Sequence, residues 1–139
     1  MEHRKRFGHL TSEIDAAYHE AARRLGLSDS AMRILYTICL NGDNCPLCDI
    51  VRLSGICKQT VNSALRKLES AGTVETRGGR KKQVYLTETG KILAQNSVLR
   101  VLRIEDEIFA SWSGAELESY IALTEKYLSA FQEKIEELS

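Results

Sequence analysis

The sequence predicts a mainly α-helical protein with one small β-hairpin, and three observations carry that prediction. A helical pattern runs from Cys57 to Ala71 and stops at Gly72. Two β-prone runs follow, Val74 to Arg77 and Lys82 to Leu86, joined by Gly78-Gly79-Arg80-Lys81. Ahead of the helix, Ser54-Gly55 parts it from a shorter helical stretch, so two helices meet across a tight glycine-containing turn. Helix, turn, helix and basic hairpin make a winged helix-turn-helix, here flanked by N- and C-terminal helices.

The remaining elements follow in chain order. A first helix is expected from Thr11 or Ser12 to about Leu25, with Leu10, Ile14, Ala17, Ala21 and Leu25 recurring at three and four as one buried stripe. Gly26 breaks it. Ser28 and Asp29 offer an N-cap to a second helix whose Met32, Leu35, Tyr36, Cys39 and Leu40 face the core. Asn41-Gly42-Asp43-Asn44 is a turn cluster, and Pro46 suits the first turn of a short third helix holding Ile50, Val51 and Leu53. After the hairpin, Thr87 caps one long helix through Ile92, Leu93, Leu99 and Leu102 towards Ile108. Ser113-Gly-Ala-Glu116 is a capping box opening the last helix. Its Leu117, Ile121, Thr124, Leu128, Phe131, Ile135 and Leu138 alternate spacings of four and three, a heptad seam that wants a partner helix. Packing against the first helix of the same chain would satisfy it. The second stripe of Tyr120, Leu123 and Tyr127 favours a dimer.

Charge divides the chain more sharply than its net of zero suggests. Residues 52 to 103 hold eleven Lys/Arg against Glu69, Glu75 and Glu88, a net of +8. Residues 104 to 139 hold nine acids against Lys126 and Lys134, a net of −7, and residues 1 to 51 come to −1. One part suits a polyanion and another does not. The expected division is a helical dimerisation region over 1-27 and 104-139, with a DNA-binding winged helix-turn-helix over 28-103. No apolar run approaches the roughly 20 residues that span a bilayer. The charged start, MEHRKRFGHL, has no apolar stretch behind it and does not read as a secretory signal. Four cysteines in a chain with a good apolar core do not read as a disulfide scaffold, so a reducing cytoplasm is expected.

On the Cys57 helix, Val61, Ala64, Leu65 and Leu68 form a core face. The opposite face carries Lys58, Gln59, Asn62, Ser63, Arg66 and Lys67, with Thr60 beside them. Arg pairs with guanine, Gln and Asn with adenine, and Lys, Ser or Thr with phosphate, so this mixture suits a major groove. In the hairpin, Arg77, Arg80, Lys81 and Lys82 crowd around two glycines expected to supply positive φ. Four like charges repel in isolation but release counterions over a phosphate backbone, and Arg80 suits a minor groove. A charged edge that blocks aggregation is the alternative.

The chain resembles the MarR family of multiple-antibiotic-resistance regulators over roughly Asp15 to Leu138. The resemblance is carried by Ile56-Cys-Lys-Gln-Thr-Val61 leading into Leu65-Arg-Lys-Leu-Glu69, then Ala71-Gly72, then Tyr85-Leu-Thr-Glu-Thr-Gly90. It implies a homodimer of six-helix subunits whose terminal helices interlock. It also implies binding to double-stranded DNA at a pseudo-palindromic operator, most often as a repressor relieved by a small ligand or an oxidant. The hairpin is shorter than usual in the family and lacks its Asp-x-Arg tip, so only Arg80 carries over. Position 57, commonly a capping Ser, is Cys here.

Three readings of Cys45, Cys48 and Cys57 follow. Oxidation of Cys57 or Cys48 would move the recognition helix, because a helix N-terminus lowers a thiol pKa. A Zn²⁺ could sit on Cys45 and Cys48 with Cys57 or a histidine, although one CxxC is a weak zinc signature. The third leaves all three as spectators with Cys39 in the core. Tyr18, Arg33 and Tyr36, on the first two helices, are candidate lining for a small-molecule effector, and Trp112 reads as a packing anchor. The CxxC lacks the βαβ setting of a thioredoxin-like enzyme, and two of the three histidines fall in a start expected to be mobile. No nucleophile triad, phosphate loop or carboxylate pair stands out, so no catalytic activity, cofactor or metal is expected. The expected function is a sequence-specific transcriptional regulator, with a winged-helix protein–protein adaptor on an acidic partner as the alternative.

Overall fold

In the computed structural model, which describes residues 1–138, the order is α1 (Glu2–Arg24), α2 (Asp29–Leu40), β1 (Asn44–Pro46), α3 (Leu47–Ser54), α4 (Lys58–Ser70), β2 (Val74–Arg77), β3 (Gln83–Leu86), α5 (Glu88–Gln95), α6 (Val98–Ala110) and α7 (Gly114–Ile135). The chain divides into two units, residues 1–102 and the remainder from Arg103.

In the first unit the core is built on α2 and α4. Ser28 caps α2 by accepting from the Ala31 N–H at 3.1 Å. Met32, Ile34, Leu35, Thr37 and Ile38 are buried there, whereas Leu40 is 60% exposed at the helix end and Tyr36 and Cys39 are half-buried. The α4 core face is the expected one, with Val61, Ala64, Leu65 and Leu68 all buried. Each of its larger side chains contributes about 2 kcal/mol on leaving water. Gly55, left-handed at φ 72, closes α3 and sets up the turn into α4.

The sheet is antiparallel in the order β1-β3-β2. Sequence reading missed β1, because three residues ending in proline show no alternation. Pairing with β3 makes it a strand, in the register Asn44↔Tyr85, Cys45↔Val84 and Pro46↔Gln83. Proline is tolerated at such an edge. Pro46 therefore ends a strand and sits at the N-cap of α3 rather than inside its first turn.

Three further expectations are corrected. Helix α1 begins at Glu2, some ten residues early, because Thr11 does not cap it: its hydroxyl donates back to the Phe7 and Gly8 carbonyls from inside the helix. His3 and His9 are therefore helical. Its apolar stripe buries only towards the C-terminal end, through Tyr18, Ala21, Ala22 and Leu25, while Leu10 and Ile14 stay about half exposed. The long helix after Thr87 is two, parted at Asn96-Ser97. Ser97 is buried and its hydroxyl donates to the Leu93 carbonyl at 2.6 Å, competing with the regular ladder. Finally, only Gly78 of the hairpin glycines takes positive φ, at 97°. A Cβ there would lie 2.6 Å from the Lys81 carbonyl oxygen, so the turn requires glycine.

In the second unit the capping box is complete. Glu116 N–H donates to Ser113 Oγ at 3.1 Å, and Ser113 N–H donates to Glu116 Oε1 at 2.8 Å. Trp112 lies edge-on to Phe109 and Tyr120, with ring centroids 5.2 Å from each, and anchors this corner. No described residue of α7 is buried. Tyr120, Ile121, Leu123, Tyr127, Leu128, Phe131, Ile135 and Leu138 are all exposed, and Leu117 is half-buried.

Candidate nucleic-acid interface

The α4 face away from the core presents Lys58, Gln59, Thr60, Ser63, Arg66 and Lys67 to solvent, with Asn62 half-buried among them. Helix α4 packs on β2, so this face and the hairpin belong to one compact unit. At the hairpin tip, Arg80, Lys81 and Lys82 are exposed. Among the described residues none of these three, nor Lys58, Arg66 or Lys67, has an ion-pair partner. Arg77 differs. Its guanidinium donates to both Glu75 oxygens at 3.2 and 3.3 Å and lies 4.3 Å from the Tyr85 ring centroid. Its neighbour Thr76 donates to Glu69 of α4 at 2.9 Å.

Cys57 is the N-cap of α4 but makes no cap hydrogen bond. Its sulfur lies 3.1 Å from the Thr60 hydroxyl, and this contact, aided by the N–H groups of the first turn, holds the thiol below its ordinary pKa. The other cysteines sit differently. Cys45, in β1, is fully buried, and burial first and Asp49 next push its thiol up, while Cys48 is exposed in the first turn of α3. Burial also pushes Cys39 up to about 11. Among the described residues no three His, Cys, Asp or Glu side chains gather to hold a metal, so the zinc arrangement is not formed. Because a thiol is a poor cap, Cys57→Ser should raise stability by about 1 kcal/mol. Thermal unfolding followed by circular dichroism checks this, and an unchanged or lower midpoint would contradict it.

Of the candidate effector residues, Tyr18 and Tyr36 are half-buried against the core, and Arg33 is exposed and donates to the Ser54 carbonyl at 3.3 Å. A cavity of about 380 Å³ opens elsewhere, between the start of α2 (Ser28, Ser30, Ala31) and the α4 face (Gln59, Thr60, Ser63, Lys67). Sequence reading did not find it, because it forms only where two helices distant in sequence converge. The Glu69, Thr76 and Glu75 contacts were also missed. Their only signal was acid in an otherwise basic stretch.

The chain has the winged helix-turn-helix fold of MarR-family regulators, with three helices after the wing. A MarR family regulator from Neisseria meningitidis superposes with a TM-score of 0.87 at 22% identity, over 100% of both chains. The complex of S. aureus MepR with DNA gives 0.67 at 21% identity, over 90% of this chain and 94% of that one. BpsR of Bordetella bronchiseptica, whose DNA binding is regulated by 6-hydroxynicotinic acid, gives 0.66 at 22% identity, over 88% and 98%. No family model and no curated protein matches the sequence. No helix among the described residues is long and apolar enough to cross a membrane.

Proposed function

We propose that the chain is a sequence-specific DNA-binding transcriptional regulator rather than an enzyme. In this reading it is a homodimer acting as a repressor in the cytoplasm, on a pseudo-palindromic operator. The observation that carries this is the juxtaposition of the α4 polar face with a hairpin tip whose Arg80, Lys81 and Lys82 have no ion-pair partner among the described residues. Unpaired cations gathered on one unit release counterions on meeting a duplex. The DNA complex formed by MepR, which has the same fold, supports the reading. The dimer rests on α7, whose aromatic and aliphatic stripe stays exposed along its length. Residues 1-27 and 104-139 then supply the dimer, and 28-103 read DNA.

Release follows from anything that fills or moves the α4 face. A small ligand in the cavity beside Gln59, Ser63 and Lys67 would occupy groove-facing side chains, and the ligand control of BpsR favours this route. Oxidation of the exposed Cys57 thiol would act at the start of the same helix.

Gel shift against the chain's own upstream region tests the function. A retarded band in low salt is expected; its absence would favour an adaptor that meets an acidic protein through this surface. Arg66→Ala or Gln59→Ala should change which duplexes are preferred, each costing about 1–3 kcal/mol at the affected base pair. Selection from a randomised library with each variant reads that out, and an unchanged consensus would remove these residues from base recognition.

A further inference from the structure

On the DNA-binding reading, affinity requires the wing and α4 to meet the duplex together, and one contact joins them directly. The Thr76 hydroxyl in β2 donates to Glu69 Oε1 in the last turn of α4. Helix stability does not account for an acid there, since the C-terminal end of a helix dipole is negative. Neither does DNA, which repels it. Glu75 is a second misplaced acid, on the cationic wing itself. It takes both Arg77 hydrogen bonds, and Arg77 in turn holds its carboxyl below the usual range while lying over Tyr85 on the paired strand. The third acid of residues 52 to 103, Glu88, is accounted for locally. It lies in the first turn of α5, where the dipole favours it, 3.3 Å from Lys91. Both unexplained acids therefore serve the wing.

We propose that Glu69 and Glu75 are positioning residues for DNA reading. Glu69, through Thr76, sets the wing against α4. Glu75, with Arg77 and Tyr85, stiffens β2 and β3 so that Arg80, Lys81 and Lys82 stand at a fixed offset from the helix. Arg77 is then a strut of the wing and not a phosphate contact, unlike its three neighbours. Electrostatics alone predicts the opposite effect of these acids, and that makes the two accounts separable. Removing a negative charge beside DNA strengthens all binding, whereas removing a brace weakens only binding that needs the correct wing angle.

The test uses Glu69→Leu, which removes both the charge and the acceptor, Thr76→Val and the double variant of the full chain. Hydrogen exchange of the wing amides, measured without DNA, should quicken in both single variants. Affinity for duplexes that the wild type enriches from a randomised library should fall about fivefold in each, and the double variant should be no worse than either. For a mixed-sequence genomic duplex, Glu69→Leu should instead bind equally or more tightly. Unchanged wing exchange, additive losses, or a Glu69→Leu variant that tightens both classes of duplex alike would each overturn the brace. A wild type that enriches no sequence would overturn the DNA reading and the positioning role with it, while the exchange result would still show whether the wing is tied to α4.

Discussion

Gly90→Ala should unfold the winged unit or leave it barely stable. Gly90 lies at the start of α5, buried against Thr73 in the turn between α4 and β2. A Cβ at this position would sit 2.0 Å from the Thr73 carbonyl oxygen and 3.3 Å from Leu86 Cδ2. Backbone has to move to admit it, and the neighbouring contacts resist. Thr87 accepts from the Gly90 N–H, its own N–H donates to the Thr73 carbonyl, and its hydroxyl donates to the Gly72 carbonyl at 2.5 Å. Displacing α5 would open this knot as well as the overpacked contact. The cost is about 3 kcal/mol or more, against a total stability for such domains of about 5–15 kcal/mol. Gly114→Ala is the control, because nothing lies within 4 Å of its Cβ position. Thermal unfolding of both variants decides the point; a Gly90→Ala midpoint within a few degrees of wild type would contradict the packing described.

The double variant Arg80→Ala/Lys81→Ala should show the largest functional effect. Both side chains are exposed at the hairpin tip, away from the core, so folding should be untouched. Each cation removed from a phosphate contact lowers the slope of log affinity against log salt by about one. The pair should therefore lower it by about two and reduce affinity on the order of tenfold, for preferred and unrelated duplexes alike. Arg77→Ala should behave differently, since its charge is already engaged by Glu75. Anisotropy titrations across a salt series make the comparison. An unchanged slope in the double variant would place the wing off the DNA.

Much of this architecture was legible because local signals agreed with one another. The α4 core face followed from its spacing alone, and Ser28, Thr87 and Ser113 all cap the helices their side chains suit. The failures share a physical cause. Strand β1 exists only through pairing with β3, and the break at Asn96-Ser97 depends on a serine buried by tertiary packing. Leu10 and Ile14 of α1, and Leu40 of α2, have the periodicity of buried residues but are exposed. The groove-facing residues could be named from sequence, since polarity opposite a core face is a local property. Which cations were already neutralised could not. Arg77 looks like Arg80 in sequence and differs through Glu75, on the same face of β2 two residues before it, and Tyr85 on the paired strand.

The central claim is that the α4 face and the wing bind DNA chiefly through unpaired cations. It is tested most directly by titrating the wild-type protein onto a duplex of its own upstream region across a salt series. Several phosphate contacts per half-site of a dimer predict a linear fall in log affinity, amounting to about 10³ or more between about 50 and about 200 mM salt. Absence of binding at the low end, or an affinity that does not change with salt, would contradict it.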